Sequence, residues 1–152
     1  MDSLVSSVIA VVGTLLGAVV AGLLQHRVSR VDRQEAQDQA LRRERLSAVT
    51  SLVAALSEHR RAMWVREDLR LSGAPSDAYA EARAQSHTTR AAITAPLTAV
   101  KILAPSLSEA AEHAARACYS LRAVADEDVL TARREAAIAA SDRLVNAAAA
   151  LI

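Results

Sequence analysis

Few side chains in this sequence are of the types that bind metals or catalyse reactions. The histidines are His26, His59, His87 and His113, without an HExxH or similar ligand set. Two of them directly follow a glutamate, in the pairs 58–59 and 112–113, and adjacent residues on a helix point in different directions. Carboxylate-bridged metal sites in helical bundles use a Glu-x-x-His spacing, which is absent here. We therefore expect no metal site, with both pairs on solvated polar faces.

The single cysteine, Cys118, falls on the apolar face of its predicted helix. This position favours a buried, unreactive thiol over a nucleophile. One cysteine also excludes an intramolecular disulfide framework and a multi-cysteine metal site. The chain has no GxSxG, P-loop or GxGxxG motif, so we expect no catalytic residue, no cofactor and no enzymatic activity.

The most distinctive polar segment is EHRRAMWVRED, at positions 58–68. Arg60, Arg61, Trp64 and Arg66 belong to residue types that anchor interfaces. They predict a partner surface for an acidic protein face, a phosphate or a lipid headgroup, although three acidic residues in the segment offset their charge. For Trp64 a place in the core is favoured over a place in the interface.

The composition points to an all-helical chain. The protein has 152 residues, of which 52% are hydrophobic and 2% aromatic, with only four glycines and three prolines. So few turn formers argue against many short strands, and the alanine, leucine, arginine and glutamate that dominate the chain favour helices. The net charge of +1 argues against a strongly basic nucleic-acid binder.

Residues 4–24, LVSSVIAVVGTLLGAVVAGLL, carry no charge. As a helix they would span about 31 Å, close to the ~30 Å hydrocarbon core of a bilayer. A buried soluble helix would keep a polar face, and a cleaved signal peptide would begin with positive charge and end near an A-x-A site. We therefore predict an uncleaved single-pass transmembrane anchor over residues 1–25.

Basic residues follow this anchor, with Arg27, Arg30 and Arg33 closest to it. By the positive-inside rule, the N-terminus lies outside the cell membrane and the C-terminal part in the cytoplasm. The arginines either bind anionic headgroups, at about 1 kcal/mol each, or serve only to set this topology.

Small residues form a ridge within the anchor, centred on Gly13, Gly17 and Ala21. Such a ridge allows two transmembrane helices to approach closely and predicts a homodimer. The alternative is that glycine and alanine are simply common in transmembrane helices.

We predict a basic stalk helix over residues 26–46 and a helical bundle over residues 47–152. The stalk has few large apolar residues, so it is either solvated or forms a weak two-chain coiled coil. The bundle would contain four amphipathic stretches in antiparallel order. Its alanine-rich faces predict modest stability, raised by self-association. The first apolar face comprises Val49, Leu52, Val53, Leu56 and Met63.

Breaks between the helices are predicted at residues 71–77 and 104–106. Gly73 marks a helix end, with Ser76 and Asp77 as N-cap candidates for the next helix, and Pro96 should kink or split that helix.

A capping box of Ser106 and Glu109 is expected to start the helical stretch that follows this second break. The apolar face of this stretch comprises Leu107, Ala111, Ala114, Cys118 and Leu121. The acidic turn 126–128 suits the start of the last helix. The apolar face of that helix is predicted as Val129, Ala136, Ala140, Leu144, Ala147 and Leu151.

The anchor sequence VVGTLLGAVVAGLLQHR, followed by an arginine- and alanine-rich helical body containing HRRAMW, resembles a known group of small membrane proteins. These are the KilB-like plasmid-spread proteins of Streptomyces conjugative plasmids. The resemblance implies a role in spreading transferred plasmid between mycelial compartments, beside a separate motor that moves DNA. It carries over no site residue.

Two function classes follow from these patterns. The first is a non-enzymatic, single-pass membrane-anchored interaction protein, acting in conjugative plasmid transfer and spread. Its expected partners are membrane lipids, a second copy of the chain, and other membrane or plasmid-transfer proteins. The alternative is a small membrane-perturbing protein of the toxin or holin kind. We do not expect direct nucleic-acid binding, because acidic residues balance the basic ones.

Overall fold

The computed structural model describes the backbone of residues 2–151 and the side chains of residues 33–151. The helix α1 (Asp2–Leu71) has 70 residues and ends at the predicted break. It is followed by α2 (Ser76–Ala92), α3 (Thr94–Leu103), a 3-10 helix (Pro105–Leu107), α4 (Ser108–Tyr119) and α5 (Glu127–Ala149). Residues 2–151 contain no strand, so the all-helical class is confirmed.

The chain divides into two compact units, Met1–Leu41 and Arg42–Ile152. The predicted span and its ridge of Gly13, Gly17 and Ala21 lie outside the residues with described side chains, as do Arg27 and Arg30. His26 lies outside them as well. Arg33 is exposed. Over the part of the chain with described side chains, no helix combines the length and apolar character needed to cross a bilayer.

The second unit is a helical bundle around one apolar core. From α1 the core receives Ala48, Val49, Leu52, Leu56 and Met63, which includes most of the predicted face, and Val53 packs against it. Nearly half of the core residues from the helices α2 to α5 and their links are alanines: Ala104, Ala111, Ala114, Ala115, Ala137, Ala140 and Ala148. Small side chains let the helix backbones lie close together, although each alanine buries less apolar area than a leucine.

The predicted face of α4 is confirmed. Leu107, Ala111, Ala114, Cys118 and Leu121 are each no more than 3% exposed.

The predicted face of α5 is wrong at several positions. Ala140 and Leu144 are buried as expected and the half-buried Val129 packs against the core, but Ala136, Ala147 and Leu151 are exposed. The buried residues are Leu130, Ala137, Ala140, Ser141, Leu144 and Ala148. The helix α5 contains eight alanines, and alanine is tolerated both in a core and in water. Leu130 and Leu144 therefore mark its inward face more clearly than the alanines do.

Two predicted N-caps are also wrong. The N-cap of α2 is Pro75, so Ser76 and Asp77 already lie in the first turn. The N-cap of α4 is Leu107, without a side-chain cap. Ser106 belongs to the 3-10 turn, in which the N–H of Leu107 donates to Ala104 O at 2.9 Å. A 3-10 entry places Ser106 one residue too early to form a capping box with Glu109.

The other helix boundaries agree with the sequence. Gly73 has a φ of +69°, the left-handed conformation that glycine adopts readily after a helix. The stretch predicted between the two breaks is split, as expected from Pro96. The helix α3 begins only at Thr94, which places the proline in a first turn, where a residue needs no N–H for a helical hydrogen bond. At the start of α5 the carboxylate of Asp126 accepts the N–H of Val129 at 2.8 Å.

Candidate partner surface

One face of α1 turns away from the core and borders a groove. Residues three and four apart on a helix share a face. The groove has a volume of ≈450 Å³. Its lining, here named the cationic groove, consists of Ser57, Glu58, Arg60, Arg61 and Trp64 from α1, and Arg134 from α5.

The arginines of the cationic groove form no ion pair with an acidic side chain among residues 33–151. Within residues 33–151 the ion pairs of the structure involve other cations: Arg66, Arg70, Lys101 and Arg116. Arg60 Nη2 donates to Ser57 Oγ at 3.2 Å, which orients this guanidinium along the helix. Three arginines against one glutamate give the lining a net positive charge.

Trp64 lies at the edge of this groove. Its side chain is 36% exposed, so the predicted core position is wrong, whereas the neighbouring Met63 is only 4% exposed. Successive helical residues are rotated by about 100°, and with Met63 pointing into the core Trp64 points to the side of the helix. The indole therefore belongs with Arg60 and Arg61 on the surface.

Arg66 does not join the predicted partner surface, because its side chain turns inward. The residue is 8% exposed. Nη1 donates to Ser86 Oγ at 3.3 Å and Nη2 donates to Tyr79 Oη at 3.4 Å, both on α2. Its Nε lies 3.7 Å from a carboxylate oxygen of the buried Glu67, an ionic contact without hydrogen-bond geometry. These long-range partners make burial of the charge tolerable.

Sequence reasoning missed Arg134. The sequence around residue 134 contains no motif that relates it to residues 57–64. Because the predicted face of α5 was partly wrong, it did not show which residues of α5 lie beside α1. Only the packing of α5 against α1 shows that the two segments border one groove.

His59 was predicted to be solvated, but it is 1% exposed. Its ring packs edge-on against Tyr119, with 5.5 Å between the ring centroids. Nδ1 lies 3.0 Å from Thr89 Oγ1, which is also 3.1 Å from the carbonyl oxygen of Gln85. A carbonyl oxygen only accepts, so the Thr89 hydroxyl donates its proton to Gln85 and its oxygen accepts from His59. We therefore assign the ring proton to Nδ1, which leaves Nε2 buried without a hydrogen bond.

This environment keeps His59 neutral. Burial, together with the smaller effect of the positive charges of Arg90 and Arg66, lowers its pKa to about 4. The imidazole is thus a packed and uncharged element of the core, without access to a solvent-borne reactant.

The remaining candidate residues stand apart from one another. His87 and His113 are exposed, and residues 33–151 contain no cluster of three or more His, Cys, Asp or Glu suited to a metal ion. Glu112 pairs with Lys101 and Arg116, and the hydrogen bond from Lys101 is the main reason that its pKa is lowered. Glu112 therefore forms ion pairs with two surface cations and does not form a metal site with His113.

Cys118 is buried, as predicted. Its Sγ contacts the carbonyl oxygen of Leu56 at 3.7 Å. Burial raises the pKa of the thiol to about 11, so the reactive thiolate is scarce at neutral pH.

Comparison with known proteins relates the chain to plasmid transfer. Residues 46–152, which include the cationic groove, match the family model described as KilB plasmid transfer protein. Protein KilB of Streptomyces lividans is 57% identical over 146 residues, which cover 96% of this chain and 97% of the relative. No solved structure matches.

Proposed function

The chain belongs to the KilB plasmid transfer protein family, and from this premise we propose that it acts in plasmid spread as a non-enzymatic, membrane-anchored interaction protein. Its contribution is to hold a partner protein at the membrane, through contacts made by the cytoplasmic bundle. The chain would thus combine a membrane anchor, a non-catalytic role and a surface that binds the partner.

The anchor is supported by the sequence of the N-terminal part. Residues 4–24 carry no charge and match the thickness of a bilayer, and Arg27, Arg30 and Arg33 follow directly. In this arrangement the N-terminus is outside the cell membrane, the stalk 26–46 leads into the cytoplasm, and the antiparallel bundle 47–152 is cytoplasmic.

A binding role is supported by the chemistry of the exposed and buried groups. The nucleophilic thiol of Cys118 is buried with a raised pKa, and the imidazole of His59 is buried and neutral. The cationic groove instead presents guanidinium groups and an indole, which recognise other molecules without making or breaking covalent bonds.

The observation that carries the proposal is the set of arginines from α1 and α5, outnumbering the one glutamate of the groove, beside the exposed ring of Trp64. Guanidinium groups form paired hydrogen bonds with carboxylates, and tryptophan and arginine dominate the energetics of many interfaces. An acidic surface of another plasmid-transfer protein has the matching chemistry. Mutual attraction of opposite charges would also speed the encounter of the two proteins.

The test is plasmid spread through mycelium that expresses the full-length chain with Arg61→Glu and Arg134→Glu combined. We expect spread to fall at least tenfold while the protein remains in the membrane fraction. Arg83→Glu, an exposed arginine of α2 outside the groove, is the matched control and should spread the plasmid normally. Normal spread by the double variant would contradict the assignment of this surface.

A further inference from the structure

The helix α2 covers part of α1 without contributing to the apolar core. None of residues 76–92 is among the buried hydrophobic residues or among the half-buried ones packed against them. The buried residues of α2 are Ser86 and Thr89, both polar. In contrast α3, which has only ten residues, buries Val100 and packs three further apolar residues against the core. Because burial of apolar surface is the main driving force of folding, α2 is held more weakly than the other helices of the bundle.

Polar contacts attach α2 to α1 instead. Arg66 of α1 donates from Nη1 to Ser86 Oγ at 3.3 Å and from Nη2 to Tyr79 Oη at 3.4 Å. His59 of α1 places Nδ1 3.0 Å from Thr89 Oγ1. Water replaces such hydrogen bonds when two helices separate, so their net contribution to holding α2 in place is small.

The closed position of α2 also leaves polar atoms of α1 without partners. In the part of the chain with described side chains, the buried side-chain atoms that lack a hydrogen bond are His59 Nε2, Arg66 Nε and Glu67 Oε1. Two of these three atoms belong to side chains that α2 covers. A buried polar atom without a partner raises the free energy of the closed form, and water would satisfy it in an open form.

A depression of ≈260 Å³ lies between the two helices. Its lining consists of Glu58, Arg61, Ala62 and Val65 from α1, and Ala82, Gln85 and Thr89 from α2. Glu58 and Arg61 also line the cationic groove, so the face of α1 that α2 covers is adjacent to that groove. Arg66 lies on the covered face, because it follows Ala62 by four residues.

We propose that α2 is a lid, which opens while the rest of the bundle stays folded and thereby adds the guanidinium of Arg66 to the positive surface beside the cationic groove. An acidic partner then binds the open form more tightly and shifts the equilibrium towards it. This regulation rests on the proposed function, whereas the opening itself does not. The buried Ile93, between α2 and α3, keeps the C-terminal end of the lid attached to the core.

Amide hydrogen exchange of the full-length chain in detergent micelles tests the opening. A detached helix of 17 residues is only marginally stable in water, so the amides of α2 exchange when the lid opens. We expect them to exchange at least a hundredfold faster than the amides of α4. Protection of α2 equal to that of α4 would overturn the lid.

A matched pair of variants tests whether the loose contact between α1 and α2 causes the opening. Ala82→Leu places an apolar side chain in the depression and should slow the exchange of α2 at least tenfold. Ala84→Leu, at an exposed position of the same helix, should leave the exchange unchanged. Equal effects of the two leucines would show that contact with α1 does not control the lid.

A glutamate-rich peptide, detected by quenching of Trp64 fluorescence, tests the link between the lid and the cationic groove. At saturation the peptide should speed the exchange of α2 at least threefold, and Ala82→Leu should weaken its binding at least threefold. Exchange of α2 that does not change with bound peptide would overturn the regulation. A wild-type chain that does not bind the peptide contradicts the proposed function, and exchange alone then decides whether α2 opens.

The role of Arg66 has its own variant, Arg66→Met, which removes two hydrogen bonds to α2. The exchange of α2 should become faster, yet the peptide should bind at least threefold more weakly, because the open form no longer gains a guanidinium. Tighter binding by this variant would show that Arg66 only holds the lid closed and would contradict its proposed contact with the partner.

Discussion

The buried carboxylate of Glu67 on α1 accepts a hydrogen bond from the backbone N–H of Ala123, at 3.1 Å, across 56 residues of sequence. The same oxygen, Oε2, accepts Nε of Arg70 at 2.7 Å, and Arg70 also donates to the carbonyl oxygen of Val124. Ala123 has a φ of +54°, a conformation unusual for any residue other than glycine. The end of α1 therefore holds the turn between α4 and α5 through charge-assisted hydrogen bonds.

Removing this carboxylate should be strongly destabilising. In Glu67→Ala the buried guanidinium of Arg66 loses its counter-charge and the turn loses its acceptor, so we expect the free energy of unfolding to fall by about 3–5 kcal/mol. Urea unfolding of the full-length chain in detergent, followed by the fluorescence of the single tryptophan, measures the change. Glu109→Ala, at an exposed position, should change it by less than about 0.5 kcal/mol. A similar loss in both variants would disprove the special role of Glu67.

Relieving the conformation of Ala123 should have the opposite effect. The left-handed conformation costs an L-residue about 1–2 kcal/mol, and glycine would relieve this cost. Part of the stabilisation is offset because glycine makes the unfolded chain more flexible. We expect Ala123→Gly to raise the free energy of unfolding by up to about 1 kcal/mol. Ala136→Gly, at an exposed position inside α5, should lower it by about 1 kcal/mol. Equal destabilisation by both glycines would show that the turn is not strained.

Stability should fall in mild acid because of His59. Its pKa is about 4 in the folded protein, below the ordinary 6.5, so between these values the unfolded chain binds the proton more tightly. The neutral, buried His59 contributes about 3 kcal/mol to the free energy of unfolding. This contribution is fully present above pH 6.5 and is lost progressively as the pH falls towards 4. Unfolding at pH 7, 5.5 and 4.5 should show a shallower pH dependence for His59→Phe than for the wild type. His87→Gln, an exposed histidine variant, should retain the wild-type slope.

The cationic groove should bind acidic peptides in a salt-dependent manner. A peptide rich in glutamate and carrying one aromatic residue is the probe, and quenching of Trp64 fluorescence is the readout. Affinity should fall as sodium chloride increases, because exposed charges are screened. Arg61→Ala with Arg134→Ala should weaken binding at least tenfold, whereas Arg83→Ala should not. An affinity that does not change with the sodium chloride concentration would argue against recognition by these arginines.

The membrane anchor has its own prediction. If the proposed anchor is correct, the full-length chain should resist alkaline extraction from membranes, and a chain without residues 2–25 should be released, because in that arrangement only the apolar run contacts the hydrocarbon core. Vesicles containing the full-length chain should retain a trapped dye, as expected for an interaction protein. Rapid leakage would favour the membrane-perturbing alternative.

The sequence predicted those helical faces that large apolar residues mark. Leu52 and Leu56 on α1, and Leu107 and Leu121 around α4, recur at helical spacing, and each is buried. On α5 the spacing failed because alanines occupy both faces, and Ala136, Ala147 and Leu151 are exposed although the spacing groups them with Leu144. A side chain as small as alanine carries little preference for either environment.

The site was only partly predictable, for a different reason. Arg60 and Arg61 were correctly grouped, since they are close in sequence, but the inward turn of Arg66 depends on Ser86 and Tyr79 on another helix. In the same way, Thr89 makes the burial of His59 tolerable. Partners that are distant in sequence decide whether a polar residue is buried, and no local pattern records them.

The alanines that close the core limit how this sequence can evolve. Ala111, Ala114 and Ala137 have no exposed surface, so a side chain with even one or two more carbons must displace a neighbouring helix, at about 1–3 kcal/mol. Substitutions that survive at these positions should be restricted to glycine and serine. Variation among descendants should therefore accumulate on the outer faces of the helices, while the spacing between their axes stays the same.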